Sequence, residues 1–268
     1  MPKVKVGDIN LYYEVYGHGQ PLVLIMGYQF GSSAWWPVIP GLSHNYQVVI
    51  FDNRGAGQSD KPDIPYTMEM MTNDLVGLLD AIDINTANLF GLSMGGMIAQ
   101  NFALKHPKRV TNLILGSTYT GGLYAVKWDA AVDAILFDFE HAKKLTPQER
   151  FNELISVLLS QEFIKNNPNV IQDLAKKMIA QPPNPLGVMR QAQAIMMHDT
   201  WARLPEIKVP TLIIHGDADR AIPVENARIL ASRISNAETV ILPGKGHGLN
   251  IEAIPEMNRA VLSFLDKH

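Results

Sequence analysis

Short β-rich runs recur along this chain at Pro21-Leu22-Val23-Leu24-Ile25-Met26, Val48-Val49-Ile50-Phe51, Ala87-Asn88-Leu89-Phe90, Leu113-Ile114-Leu115, Leu212-Ile213-Ile214-His215 and Thr239-Val240-Ile241-Leu242, with helix-patterned segments between most of them. Runs this short and this continuously apolar suit strands buried on both faces, and strands separated by helices pair in parallel because the helix carries the chain back across the sheet. The expected fold class is therefore α/β, a mostly parallel β-sheet flanked by helices. One helix is expected from about Thr67 to Ile82, where Met71, Leu75, Leu78, Leu79 and Ile82 recur at helical spacing, and another from about Pro255 to Leu265. Tyr12-Tyr13-Glu14-Val15-Tyr16 precedes the first of these runs across the turn Gly17-His18-Gly19-Gln20 and reads as its hairpin partner.

The alternation lapses between Gly121 and about Thr200, where helix-patterned segments follow one another with no clear strand. Pro182-Pro183-Asn184-Pro185 must interrupt any helix there, because proline lacks the N–H donor and restricts the residue before it. The expected organisation is one α/β core formed by residues 1–120 and 201–268, with residues 121–200 inserted as a helical cap. A formal net charge of −3, with acids and bases interspersed, gives no electrostatic footprint for nucleic acid or an acidic membrane surface. Met1 to Val6 carries no apolar leader core, and no apolar run approaches the roughly 18 residues of a membrane span. A cytoplasmic protein acting on a small molecule is expected, as monomer or homo-oligomer.

The sharpest chemical signal is Gly91-Leu92-Ser93-Met94-Gly95, a G-x-S-x-G between the run ending at Phe90 and the helix-patterned Gly96 to Leu104. Such a pentapeptide arises by chance in about one chain in ten of this length, so its weight comes from the strand before it and the helix after it. That setting lifts a serine hydroxyl clear of the sheet, where a base can take its proton and a carbonyl can approach. The serine then needs a base, an acid to orient the base, and donors for the developing oxyanion. Asp217 and Asp219 lie in the loop after Leu212 to His215, and His247 lies in Gly244-Lys245-Gly246-His247-Gly248 after Thr239 to Leu242. All three fall beyond the C-terminal ends of strands, where open α/β sheets bind ligands, and either aspartate could reach a histidine. His215 reads as a packed strand-end histidine, and Asp52 and Arg54 as braces of the glycine-rich loop around them. The chain has no cysteine, no H-E-x-x-H and no clustered metal-ligand spacing, and Gly244 to Gly248 lacks the spacing of a phosphate loop. No metal and no cofactor is expected.

These segments, together with Asp52-Asn53-Arg54-Gly55-Ala56-Gly57-Gln58-Ser59 and Val209-Pro210-Thr211-Leu212-Ile213-Ile214-His215-Gly216-Asp217-Ala218-Asp219, resemble the α/β-hydrolase family nearly from end to end. Within it the chain looks most like the esterase, enol-lactonase and cofactor-free perhydrolase group. The resemblance implies an α/β-hydrolase fold and a triad of Ser93 as nucleophile, Asp219, the third residue after Gly216, as acid, and His247 as base. It implies an oxyanion hole made by the N–H groups of Met94 and Tyr28. The family usually has His-Gly where this chain has Met26-Gly27; the backbone donor survives, but any hydrogen bonds that histidine would make to hold the loop are lost. The implied activity is hydrolysis of a carboxylic ester or lactone of a small, partly apolar substrate through an acyl-enzyme on Ser93. The alternatives are C–C bond hydrolysis or perhydrolysis with the same triad, and a non-catalytic ligand-binding homologue, which would be expected to have lost a triad member. Trp128, Met197 and Trp201 are the expected substrate-binding side chains of the cap, with Arg190 as a candidate anchor for an acidic lactone.

Overall fold

The computed structural model describes residues 2–268. Strands β1 (Lys3–Val6), β2 (Ile9–Tyr16), β3 (Gln20–Ile25), β4 (Tyr46–Phe51), β5 (Ala87–Leu92), β6 (Val110–Gly116), β7 (Thr211–Gly216) and β8 (Ala237–Leu242) form one sheet in the order β1-β2-β4-β3-β5-β6-β7-β8. β1, β2 and β4 pair antiparallel, and every pairing from β4 across to β8 is parallel. Side chains two apart share a face of a strand, and both faces here are covered. Leu22, Leu24, Val48, Ile50, Phe90, Ile114, Leu212 and Ile214 pack with Trp35, Leu42, Met257, Val261 and Phe264. Val23, Ile25, Val49, Phe51, Leu89, Leu113, Leu115 and Ile213 pack with Leu75, Leu78, Ile98, Phe102 and Leu230. Each such side chain contributes about 1.5–3 kcal/mol when fully buried, which is why the strands read as continuous apolar runs.

The helix Met68–Ala81 opens where the Thr67 side chain accepts the Met70 N–H, and stops before Asp83, whose φ of 58° leaves the helical region. The C-terminal helix spans Ile254–Leu265. The expected hairpin between β2 and β3 does not form. β4 lies between them, antiparallel to β2 and parallel to β3, because β3 completes its hydrogen bonds with two parallel neighbours and offers β2 no edge. The local hairpin is β1–β2 instead, turning at Gly7 with φ 53°.

The chain leaves β3 for β4 on one side, whereas β5 is followed by β6 on the other. β3 and β5 are neighbours, so the crevice beyond their C-terminal ends is a topological switch point, the place where open α/β sheets bind ligands. Tyr28 follows β3 there, and Ser93 and Met94 follow β5. Between β6 and β7 run the helices Ala130–Phe137, Phe139–Ala142, Pro147–Leu158, Gln161–Asn166, Pro168–Ala180 and Pro185–Met196. Thr146 and Glu149 close a capping box on the third of these, and Asn184 caps the last directly after Pro182 and Pro183. A single bridge between Gly121 and Asp199 joins the two ends of the insertion. Among the described residues no helix is long and apolar enough to cross a membrane.

Candidate active site

Ser93 directly follows β5 and stands before the helix Met94–Lys105 with φ 58° and ψ −121°. A non-glycine residue held there is strained, and its neighbours over-determine the conformation. The Ser93 N–H donates to Gly116 O at 2.8 Å, while its carbonyl accepts from the Gly96 N–H at 2.9 Å and the Thr118 hydroxyl at 2.7 Å. Only glycine fits on either side: a Cβ at Gly91 would lie 2.2 Å from Gly95 O, and one at Gly95 would lie 2.0 Å from Ile25 O. The serine side chain does not cap its helix but lies against Gly27, where an added Cβ would come 3.0 Å from Ser93 Cβ and 3.5 Å from its Oγ.

Gly27 leads into Tyr28. Among the described residues, neither the Tyr28 N–H nor the Met94 N–H is paired with a protein acceptor, so two backbone donors remain beside the serine at the switch point. With methionine before Gly27, other groups hold the loop. Asn53 Nδ2 donates to Met26 O at 2.8 Å, Gln191 Oε1 accepts the Gln29 N–H at 2.8 Å, and Asp52 Oδ1 accepts the Ser32 N–H at 2.5 Å. Gln191 belongs to the last helix of the insertion and also donates to Arg54 O at 2.9 Å, so that helix is pinned to both loops. Asp52 further accepts the Gln58 N–H at 2.6 Å, and Arg54 pairs with buried Asp74, which braces the glycine-rich loop.

Asp219 and His247 are brought together from the loops after β7 and β8. His247 Nδ1 lies 2.8 Å from Asp219 Oδ2; a carboxylate only accepts, so Nδ1 carries a proton, and in the neutral ring Nε2 is then an acceptor. Asp219 Oδ1 accepts the Ile222 N–H at 2.8 Å. Burial by itself would push the Asp219 pKa up, but the charge of His247 and hydrogen bonds from His215 and His247 hold the carboxyl well below the usual carboxylate range. Asp217 is exposed and turned elsewhere, accepting the Gly244 N–H at 2.6 Å and so linking the two loops. His215 is a partner of Asp219 that no spacing rule marks: its Nε2 lies 3.1 Å from Asp219 Oδ2 and 2.9 Å from Ile222 O. Among the described residues the Ser93 hydroxyl is hydrogen bonded to no protein group, so the structure joins acid to base and leaves the serine–histidine contact unmade. Contacts of that kind commonly tighten only when substrate binds. No group of three or more His, Asp or Glu side chains among the described residues is arranged to hold a metal ion.

From Tyr28 an aromatic stack runs into the insertion. Phe137 stacks on Tyr28 at 5.6 Å, Trp128 on Phe137 at 5.3 Å, and Tyr119 meets Trp128 edge-on at 5.9 Å. Trp128 is thus two ring contacts from Tyr28. The structure does not bring Met197 and Trp201 to this group. The helix Pro185–Met196 turns Val188, Gln191, Ala192 and Ile195 inward, which leaves Met197 at its end 81% exposed. Trp201 is sandwiched between the Tyr124 ring at 3.8 Å and the Arg233 guanidinium at 4.2 Å, at the far end of the helix Glu225–Arg233 from the Asp219 loop. Arg190 is taken up by Asp63 at 2.6 Å and Gln193 at 3.1 Å rather than held out for a substrate anion.

Comparison with known proteins agrees with this architecture. The model of the alpha/beta hydrolase fold family matches residues 20–254. A Synechocystis protein with the provisional name non-heme chloroperoxidase is 32% identical, with 99% of this chain and 100% of that one covered. A 2-hydroxy-6-oxononadienedioate/2-hydroxy-6-oxononatrienedioate hydrolase from Paraburkholderia xenovorans is 29% identical, covering 97% and 91%. The solved enol-lactonase from Burkholderia xenovorans LB400 superposes with a TM-score of 0.86 at 28% identity, covering 99% and 100%. With the sheet order, the switch-point serine and a match over almost the whole length, the chain belongs to the alpha/beta hydrolase family.

Proposed function

We propose that this protein is a serine hydrolase that cleaves a carboxylic ester or lactone of a small, partly apolar substrate through an acyl-enzyme on Ser93. The observation that carries the reading is the 2.8 Å contact of His247 Nδ1 with buried Asp219, which leaves Nε2 as an acceptor on the side of the sheet where Ser93 stands on its strained turn. Ser93 Oγ attacks the carbonyl carbon as His247 Nε2 takes its proton, and Asp219 keeps the tautomer and supports the imidazolium. The N–H groups of Tyr28 and Met94 receive the oxyanion. His247 then protonates the leaving alcohol, and a water activated by the same ring releases the acid. Residues 121–200 act as the cap over a core of residues 1–120 and 201–268. Their Phe137 and Trp128, with Tyr28, offer an apolar wall worth roughly 25 cal/mol per Å² of substrate buried.

Likeness to the oxononadienedioate hydrolase and to the provisional chloroperoxidase favours a second reading, C–C bond hydrolysis or perhydrolysis with the same residues. Labelling by a fluorophosphonate, located to Ser93 by mass spectrometry, tests the nucleophile. Product analysis over esters, lactones and vinylogous diketones then separates the reactions. A folded protein that hydrolyses esters yet leaves Ser93 unlabelled would remove the proposal.

A further inference from the structure

Glu252 ends the short helix Leu249–Glu252 that follows His247, and it is buried. Its carboxylate turns back on the loop the chain has just left. Oε1 accepts the Gly246 N–H, and Oε2 accepts the Ser160 hydroxyl at 2.7 Å and the Ser160 N–H at 3.2 Å. Ser160 belongs to the insertion, where it caps the helix Gln161–Asn166. The same stretch grips the other flank of the histidine, for the Gly248 N–H donates to Leu158 O at 2.7 Å. Both flanks are closely packed: a Cβ at Gly246 would lie 2.9 Å from the backbone Ser160 N, and one at Gly248 would lie 2.7 Å from Leu159 Cδ2, so the insertion sits directly on either side of the histidine. The peptide joining Lys245 to Gly246 is therefore held from two directions. Its carbonyl accepts the Ala218 N–H of the acid loop at 2.9 Å, and its N–H goes to Glu252.

A histidine flanked by two glycines has a backbone free to swing unless something fixes it. Here the acid loop fixes one side of the preceding peptide and a buried carboxylate the other. We infer that Glu252 is a positioning residue: it sets the Lys245–Gly246 peptide, one residue before His247, and ties that peptide to the Leu158–Ser160 joint of the insertion, so that the aim of the base depends on the seating of the cap. This rests on the reading of His247 as the base. Entry of substrate under the insertion and alignment of Nε2 with Ser93 are then one mechanical event, which suits a structure where the serine–histidine contact is not yet made.

The test compares Glu252→Ala, Glu252→Gln and Ser160→Ala in the full chain, with kcat and KM on an ester that the wild type cleaves, and with the rate of fluorophosphonate labelling. A shift of about 1 Å in a reacting group can cost about 100-fold, so Glu252→Ala should lower kcat about 10- to 100-fold while KM stays within about threefold, and labelling should slow in proportion. Glu252→Gln keeps one acceptor for the Gly246 N–H and should lose less, and Ser160→Ala, which removes only the hydroxyl, should lose least. Where Glu252→Ala does not fold, the other two decide by the same criterion. A kcat within about twofold of wild type in the folded Glu252 variants, or a loss carried by KM alone, overturns the inference. Failure of the underlying reading is separate, since it shows as a wild-type protein unlabelled at Ser93.

Discussion

The loops after β7 and β8 and the insertion between β6 and β7 are held by different kinds of contact. In the loops, Asp219 receives the Ile222 N–H and the His247 ring, Asp217 receives the Gly244 N–H, and the Ala218 N–H meets Lys245 O, all directional bonds rooted at strand ends. The insertion holds together through apolar clusters, Val132, Leu136, Leu154 and Val157 with Ala221, and Phe151, Ile155, Leu159 and Ala175. Its polar ties to the loops around Ser93, Asp219 and His247 include Gln191, Ser160 and the carbonyls of Leu136, Ser156 and Leu158, which accept from Tyr28, Arg220 and Gly248. Hydrogen bonds fix orientation, whereas apolar contacts tolerate changes of shape at similar volume. A chain built this way can vary the apolar packing of its insertion while the directional bonds at Asp219 and His247 stay in place, provided the ties that join the two regions hold.

The largest effect expected on that comparison is from Ser93→Ala, which should lower kcat by at least about 10⁴-fold with little change in melting temperature, because the hydroxyl makes no hydrogen bond that the fold needs. Near wild-type turnover in the purified variant would break the account of the site. Next, Asp219→Asn should cost about 10³- to 10⁴-fold, whereas Asp217→Asn, whose carboxylate only joins two turns, should stay within about threefold. The reverse order in kcat/KM would put the acid on the wrong residue.

At the base of the insertion, burial pushes the His198 imidazole down to about 4, so the folded protein holds it neutral. The unfolded chain takes up a proton near pH 6.5 and the folded one only near 4, so stability should fall as pH drops through that window, by about 3 kcal/mol in all. Denaturation of wild type and His198→Gln at pH 7 and pH 4 checks this; parallel losses in the two proteins would refute it. The smallest effects belong to substrate choice. Phe137→Ala, which removes the middle ring of the stack, should change relative kcat/KM among short esters and lactones about tenfold, and Met197→Ala less than twofold. Equal effects of the two would blur the line between wall and surface.

Much of the core was legible because its signals are local. The β5 run, Gly91, Ser93, Gly95 and the helix after them mark a strand–turn–helix by residue type alone, and the Gly91 requirement is set within the turn by Gly95 O, although the one at Gly95 comes from Ile25 O of β3. The fully buried parallel strands announce themselves as apolar runs for the same reason. The pairing of β2 was misread because adjacency along the chain favours a hairpin, while the sheet gives β3 two parallel neighbours. Asp217 and Asp219 lie two residues apart in one loop, and only the family resemblance, not the residues themselves, separates them in the sequence; in the structure the Asp219 carboxylate meets His247 and that of Asp217 meets the Gly244 N–H.

By itself, then, the sequence determined the α/β class, the strand and helix periods, the strained turn at Ser93 and the loops that carry Asp219 and His247, because each follows from steric limits and burial within a few residues. Only the tertiary structure decided that His215 shares Asp219, that Glu252 ties the His247 loop to Ser160, and that Phe137 rather than Trp201 continues the stack from Tyr28. Those contacts join segments far apart in the chain, or depend on where one side chain turns, and they are set by how whole elements dock, which a local pattern of residue types does not encode.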